Sequence, residues 1–128
     1  MIIKEFFTTL ILMAAIDGIW LGKIATKFYR SQLGKMMLAK PNWSAAFAFY
    51  VIYVVGIVYF VVSPALNEGS ASFAFWRGAM FGFVAYATYD LTNLATLKGF
   101  RAKLAIFDLI WGSFLTAIVG LIAFLILN

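Results

Sequence analysis

Four apolar runs, each long enough to cross a lipid bilayer, dominate this chain of 128 residues. A helical span needs roughly 20 apolar residues, within a range of about 17–25. The runs cover residues 6–22, 43–62, 73–97 and 104–127. The first extends back to Ile2 if Lys4 and Glu5 snorkel towards the headgroups. The second is expected to stop ahead of Pro64, because proline breaks the helical ladder. All four runs are continuously apolar rather than alternating, which does not suit barrel strands. Four strands also could not close on themselves, and open sheet edges cannot face lipid. The chain is 65% hydrophobic, against about 45–50% in soluble domains, and one core of this size could not hide the excess. The reading is an all-α, polytopic membrane protein: a single domain built as a bundle of four transmembrane helices.

The connections alternate in character. Residues 23–42 carry Lys23, Lys27, Arg30, Lys35 and Lys40, and residues 98–103 carry Lys98, Arg101 and Lys103. These two loops lie on one side and hold eight of the ten basic residues, whereas the loop at 63–72 holds Glu68 and no lysine or arginine. Cytoplasmic loops carry the lysine and arginine excess, so both termini are expected outside. The N-terminus lacks the pattern of a cleavable signal peptide, since Lys4 is followed at once by Glu5. Within the first loop, Lys23, Lys27 and Arg30 fall on one helical face, and Ala25, Tyr29, Leu33 and Met36 on another. That pattern predicts a short interfacial helix on the cytoplasmic leaflet, weakened at Gly34 and ended by Pro41. The net charge of +5 sits beside the spans. Anionic lipid headgroups are therefore the expected partner, and nucleic acid is not.

The chain contains no cysteine and no histidine. That removes disulfides, thiolate nucleophiles, Cys/His zinc sites and Ser-His triads. No catalytic residue, cofactor or resident metal is assigned. The chemistry that remains lies in five acidic residues, three of which, Asp17, Asp90 and Asp108, fall inside the spans. A carboxylate at the bilayer centre costs about 2.5–3.5 kcal/mol, so such residues face the bundle interior and have a purpose. All three lie in the cytoplasmic half. Asp108 sits about four residues, or ~6 Å, into its span.

Asp17-Gly18-Ile19-Trp20 and Asp108-Leu109-Ile110-Trp111 share the pattern D-x-I-W, which puts each Asp and Trp on one helix face. Tyr86, Asp90, Asn93 and Leu97 form a stripe on the third span, with Tyr89 beside it. Converging these faces predicts a ligand pocket of Asp17, Trp20, Tyr86, Tyr89, Asp90, Asn93, Asp108 and Trp111. Its mouth would be rimmed by Lys23, Lys27, Lys98, Arg101 and Lys103. The structural alternative gives the same residues plainer work. Asp108 would answer a helix N-terminus, Asp17 would pair with Lys98 or Lys103, and Trp20 and Trp43 would sit in the interfacial belt. Trp111 lies too deep for that belt. Gly18/Gly22 and Gly78/Gly82 form two G-x-x-x-G pairs, suited to close helix contact within the bundle or in a homodimer.

The segment Tyr89-Asp90-Leu91-Thr92-Asn93-Leu94-Ala95-Thr96, with Asp17-Gly18-Ile19-Trp20-Leu21-Gly22 and Asp108-Leu109-Ile110-Trp111-Gly112, resembles a bacterial membrane family, domain of unknown function 2177. The resemblance covers nearly the whole chain and implies a small four-span protein of the bacterial inner membrane. It carries over no activity, substrate, cofactor or catalytic residue.

Four functions fit these residues. The first is binding of a lipid or amphiphilic small molecule, with its headgroup in the polar pocket and the basic rim attracting an anionic group. The second is a membrane enzyme whose three aspartates hold a divalent cation, although no single span offers a paired-carboxylate motif. The third is a small ion- or proton-coupled transporter, against which the outer half offers no acid. The fourth is an accessory subunit of a membrane complex. Amphiphile binding ranks first.

Overall fold

The computed structural model describes residues 2–34 and 42–128. Every regular element among the described residues is helical. Helix α1 (Ile2–Ile19) widens into a π-helical turn, Trp20–Ile24, and leads into the short α2 (Thr26–Leu33). Helix α3 (Trp43–Ile57) passes through a second π-helical turn, Val58–Val62, into α4 (Ser63–Glu68). Two long helices follow, α5 (Ala71–Thr96) and α6 (Ala102–Leu127). Two helices are apolar and long enough to cross a membrane, the continuous Trp43–Glu68 and Ala102–Leu127. Helices α1 and α5 carry more polar side chains, among them Glu5, Asp17, Arg77, Asp90 and Asn93.

The helix starts and stops have local causes. The Asn42 side chain accepts the Ala45 N–H at 3.1 Å, and the Ser70 hydroxyl accepts that of Phe73 at 3.1 Å. Each satisfies a backbone donor that a helix N-terminus leaves unpaired. Gly69, at φ 65° and ψ 34°, ends α4 in the left-handed conformation that favours glycine.

Pro64 does not end the second run, contrary to expectation: the helix continues to Glu68. A proline ring collides with the carbonyl four residues earlier and lacks an N–H. The π-helical turn at Val58–Val62 loosens the ladder at that point.

Contacts between the long helices run in opposite chain order for neighbours. Ser63 meets Glu5 and Tyr50 meets Asp17, so α1 and the α3–α4 rod are antiparallel. Gly78 faces Thr116 and Ala117 while Gly82 faces Gly112, so α5 and α6 are antiparallel and very close. A Cβ added to Gly82 would stand 2.4 Å from the Gly112 carbonyl oxygen. The Gly78/Gly82 pair therefore works inside the chain. Gly18 and Gly22 lie on the surface, and a Cβ added to either would meet nothing within 4 Å.

The core joins Met13 of α1, Val54, Ile57 and Val61 of the α3–α4 rod, and Leu115 and Val119 of α6. Tyr53 and Thr116 share a buried hydroxyl–hydroxyl bond of 2.7 Å at its edge. Outside this core the surface is strongly apolar: Ile52 is 71% exposed, Tyr59 72% and Ile11 66%. Apolar area on this scale would drive association in water and suits contact with lipid.

Glu5 does not snorkel. It is buried on α1, and its carboxyl accepts a hydrogen bond from Ser63. The buried residues of α1 are Glu5, Thr9, Met13 and Asp17, one every four positions, which is a single helix face. The acid-free end inferred from the sequence therefore holds a buried acid. Arg77, also inside the third apolar run, is exposed and lies over the Phe73 ring at 5.0 Å.

Candidate functional site

The three aspartates that the sequence singled out come together. Asp17, Asp90 and Asp108 line one cavity of about 570 Å³ at the end of the molecule that carries the Lys98–Lys103 turn. Its wall is otherwise aromatic and apolar, including Tyr29, Tyr50, Tyr86, Tyr89 and Trp111 with Ala46, Phe49, Ala85 and Leu104. The lining residues Leu21, Phe49 and Tyr89 are exposed, so the cavity opens to the surface.

The two D-x-I-W motifs exchange partners. Helical spacing places each Asp and Trp on one face, and these faces of α1 and α6 meet. The Trp111 indole N–H donates to Asp17 Oδ1 at 3.2 Å. The Trp20 indole donates to the Tyr29 hydroxyl at 3.4 Å, and Tyr29 in turn donates to Asp108 Oδ1 at 2.7 Å. Each tryptophan thus serves the aspartate of the other motif, Trp20 through Tyr29. The two indoles stack with centroids 4.1 Å apart and planes 9° apart, and Trp20 also stacks on Phe107 at 5.4 Å. The π-helical turn that begins at Trp20 and the bond from the Ala25 N–H to the Trp20 carbonyl, 2.8 Å, hold this corner.

Asp17 has a second donor, the Tyr50 hydroxyl, 2.6 Å from Oδ2. Both of its oxygens are therefore engaged by an aromatic side chain, and the pairing with Lys98 or Lys103 is not the one formed. Asp90 stands in contrast. It is 1% exposed, and neither carboxyl oxygen has a hydrogen-bond partner among the described residues. An unmet polar group in a low-dielectric interior is costly and calls for explanation.

Helix α2 closes the site. Its apolar face turns onto the protein, with Tyr29 and Leu33 in the cavity wall and Phe28 against Phe107 at 4.2 Å. Phe28, Tyr29 and Leu33 pack on the cluster of Phe100, Leu104 and Ala105. The helix ends at Gly34, at φ 55°. Lys35, Met36, Lys40 and Pro41, which the sequence placed in this helix or at its end, lie outside the described residues. Burial holds the Tyr29 phenol above its ordinary value of 10.0, and the charge of Asp108 acts in the same direction against the opposing Trp20 N–H.

Of the eight pocket residues expected from sequence, Asp17, Tyr86, Tyr89, Asp90, Asp108 and Trp111 line the cavity. Trp20 stands behind Trp111, and Asn93 is half-buried outside the lining. Lys23, Lys27, Lys98, Arg101 and Lys103 are exposed, and none of them lines the cavity. The expected basic mouth is not part of its wall.

Sequence reasoning found α3 as the second span but missed its part in the site. Tyr50 and Ala46 share a helix face with Tyr53, but a span without charge gave no reason to look there. Tyr29 was visible as part of an apolar stripe, though not as the donor to Asp108. Among the described residues no set of three Asp, Glu, His or Cys side chains is placed to hold a metal ion, so the divalent-cation arrangement finds no converged ligand set.

The regular elements among the described residues are helical, and two of the helices are long and apolar enough to cross a membrane. The sequence matches the family described as "Predicted membrane protein (DUF2177)" over residues 2–125. The chain belongs to this family. No curated protein and no solved structure matches it.

Proposed function

We propose that this protein crosses the bilayer four times, as a four-helix bundle, and binds a lipid or amphiphilic small molecule in the aspartate-lined cavity. The observation that carries this reading is Asp90. It is buried to 1% exposure without a hydrogen-bond partner among the described residues, in the wall of a cavity of about 570 Å³ whose other surfaces are mostly apolar. That combination of apolar volume with a few polar groups suits a small molecule that must be held and oriented. The opening beside Phe49 and Tyr89 gives a path from the lipid phase.

Length supports four crossings. Helices α5 and α6, of 26 residues each, measure ~39 Å at the helical rise, beyond the ~30 Å hydrocarbon core. Charge supports the orientation, with the loops at 23–42 and 98–103 in the cytoplasm and both termini outside. The resulting location is a cell membrane, the inner membrane of a bacterium. The exposed lysines and arginines then face anionic headgroups of the surrounding leaflet rather than the bound molecule.

Photolabelling with a diazirine-bearing alkyl probe in native membranes tests the reading. Saturable labels on Ala46, Phe49, Ala85 and Leu104, competed by unlabelled amphiphile, are expected. Labels confined to outward residues such as Ile52 and Tyr59, with no competition, would refute it.

A further inference from the structure

We propose that the headgroup bound in this cavity is a protonated amine, seated on Asp90. This rests on the reading that an amphiphile occupies the cavity and goes on to name its polar end.

A carboxylate only accepts hydrogen bonds. Asp17 already receives Tyr50 and Trp111, and Asp108 receives Tyr29. Asp90 receives no hydrogen bond from the described residues, and the neighbouring Asp108 carboxyl is a like group. Three carboxyl groups line the cavity, and no lysine or arginine among the described residues does. In low-dielectric walls, carboxyl groups without a basic partner disfavour a phosphate or carboxylate head and favour a cation that lets them ionise. A primary ammonium brings three donors and a positive charge together. It would supply both what Asp90 lacks and what the cavity as a whole lacks.

The aromatic wall points the same way. Tyr29, Tyr86, Tyr89 and Trp111 surround the carboxyls, and aromatic faces attract organic cations, most strongly where water is excluded. A bare metal ion fits less well, because no three carboxyls among the described residues are close enough to share one and most of the volume would stay without a partner. An organic ammonium fills both parts of the site, its charge at Asp90 and its apolar body along Phe49, Ala85 and Leu104. The anionic headgroup expected from the basic loops is thereby assigned to the outer surface only.

An ammonium on an apolar body is common to aminophospholipids and to free lipophilic amines. Four probes separate the possibilities: decylamine, decanol, decyl phosphate and dihexanoyl phosphatidylethanolamine. Each is titrated at pH 7 into the full-length protein in phosphatidylcholine nanodiscs, with the tryptophan fluorescence change as the readout, since Trp111 lies in the wall. Saturable decylamine binding at least ten-fold tighter than decanol is expected, a margin of about 1.4 kcal/mol. Decyl phosphate should bind most weakly. Asp90→Asn should remove the ten-fold advantage and Asp90→Glu should keep most of it. If the substituted proteins do not fold, the order of the probes on the wild type decides alone. Competition of phosphatidylethanolamine with decylamine supports the amine and identifies a lipid source. Failure to compete, with decylamine still preferred, supports the amine and identifies a free molecule.

Equal, saturable binding of decylamine and decanol would overturn the amine assignment while leaving the amphiphile reading intact. So would a preference for decyl phosphate. Absence of saturable binding by every probe would overturn both.

Discussion

Asp17 and Asp90 are both acids buried within apolar helices, yet their surroundings differ in kind. Asp17 is held from two sides by Tyr50 and Trp111, whereas Asp90 has no partner among the described residues. Opposite responses to substitution follow. Tyr50→Phe removes one side-chain bond in a membrane setting, where such bonds average about 0.6 and reach about 1.7 kcal/mol. A loss of stability in that range is expected from thermal or steric-trap unfolding in bicelles. Asp90→Leu removes a buried group with unmet acceptors and should raise the stability of ligand-free protein by about 1–3 kcal/mol. A destabilised Asp90→Leu protein would show that the carboxyl has a structural role. Proteins keep such costly groups where function needs them.

At the scale of elements, the close approach of α5 to α6 depends on glycine. Gly82→Leu should disrupt this contact, because even a Cβ there meets the Gly112 carbonyl oxygen at 2.4 Å. Overpacking of this kind costs roughly 1–3 kcal/mol or more. Gly18→Ala, with open space around it, should be neutral or stabilising by up to about 1 kcal/mol. Parallel melting curves of the two variants check the contrast.

Helix α2 is fastened through Tyr29, whose phenol is held above its ordinary 10.0 by burial. The folded state therefore keeps a proton that the released helix would lose. The docking energy is complete below pH 10 and falls as the pH rises beyond it. Hydrogen exchange at residues 26–33 should accelerate above that pH in the wild type, and Tyr29→Phe should show fast exchange already at neutral pH. Slow, pH-independent exchange in both proteins would contradict the role given to Tyr29.

For the molecule as a whole, periodicity and length made the long helices legible, and they made α2 legible as far as Gly34. The spacing of D-x-I-W made it clear that Asp17 and Trp20, or Asp108 and Trp111, share a face. It did not reveal that the motifs exchange partners, because that depends on how α1 and α6 are rotated against each other. The passage of the helix through Pro64 was hidden for a similar reason: a π-helical turn leaves no simple signature in composition. Tyr50 escaped notice because it is uncharged, and charge is the plainest sign of function within a span. The basic residues were read correctly as clustered in sequence, but long, exposed side chains do not announce which surface they face.

The proposed topology is testable because the chain has no cysteine of its own. Asn67→Cys and Lys98→Cys, each the sole cysteine, should react with an impermeant maleimide from opposite sides of the membrane. Labelling of both from the same side would remove the four-span arrangement.

An amphiphile held in the aspartate-lined cavity should leave the membrane with the protein. Native mass spectrometry of protein gently extracted from its own membranes addresses it most directly, with Asp90→Asn as the comparison once its fold is verified. A discrete bound mass on the wild type that survives mild activation, and is lost or strongly reduced in the variant, is expected. Bare protein in both samples, or the same bound mass at the same occupancy in both, would contradict it.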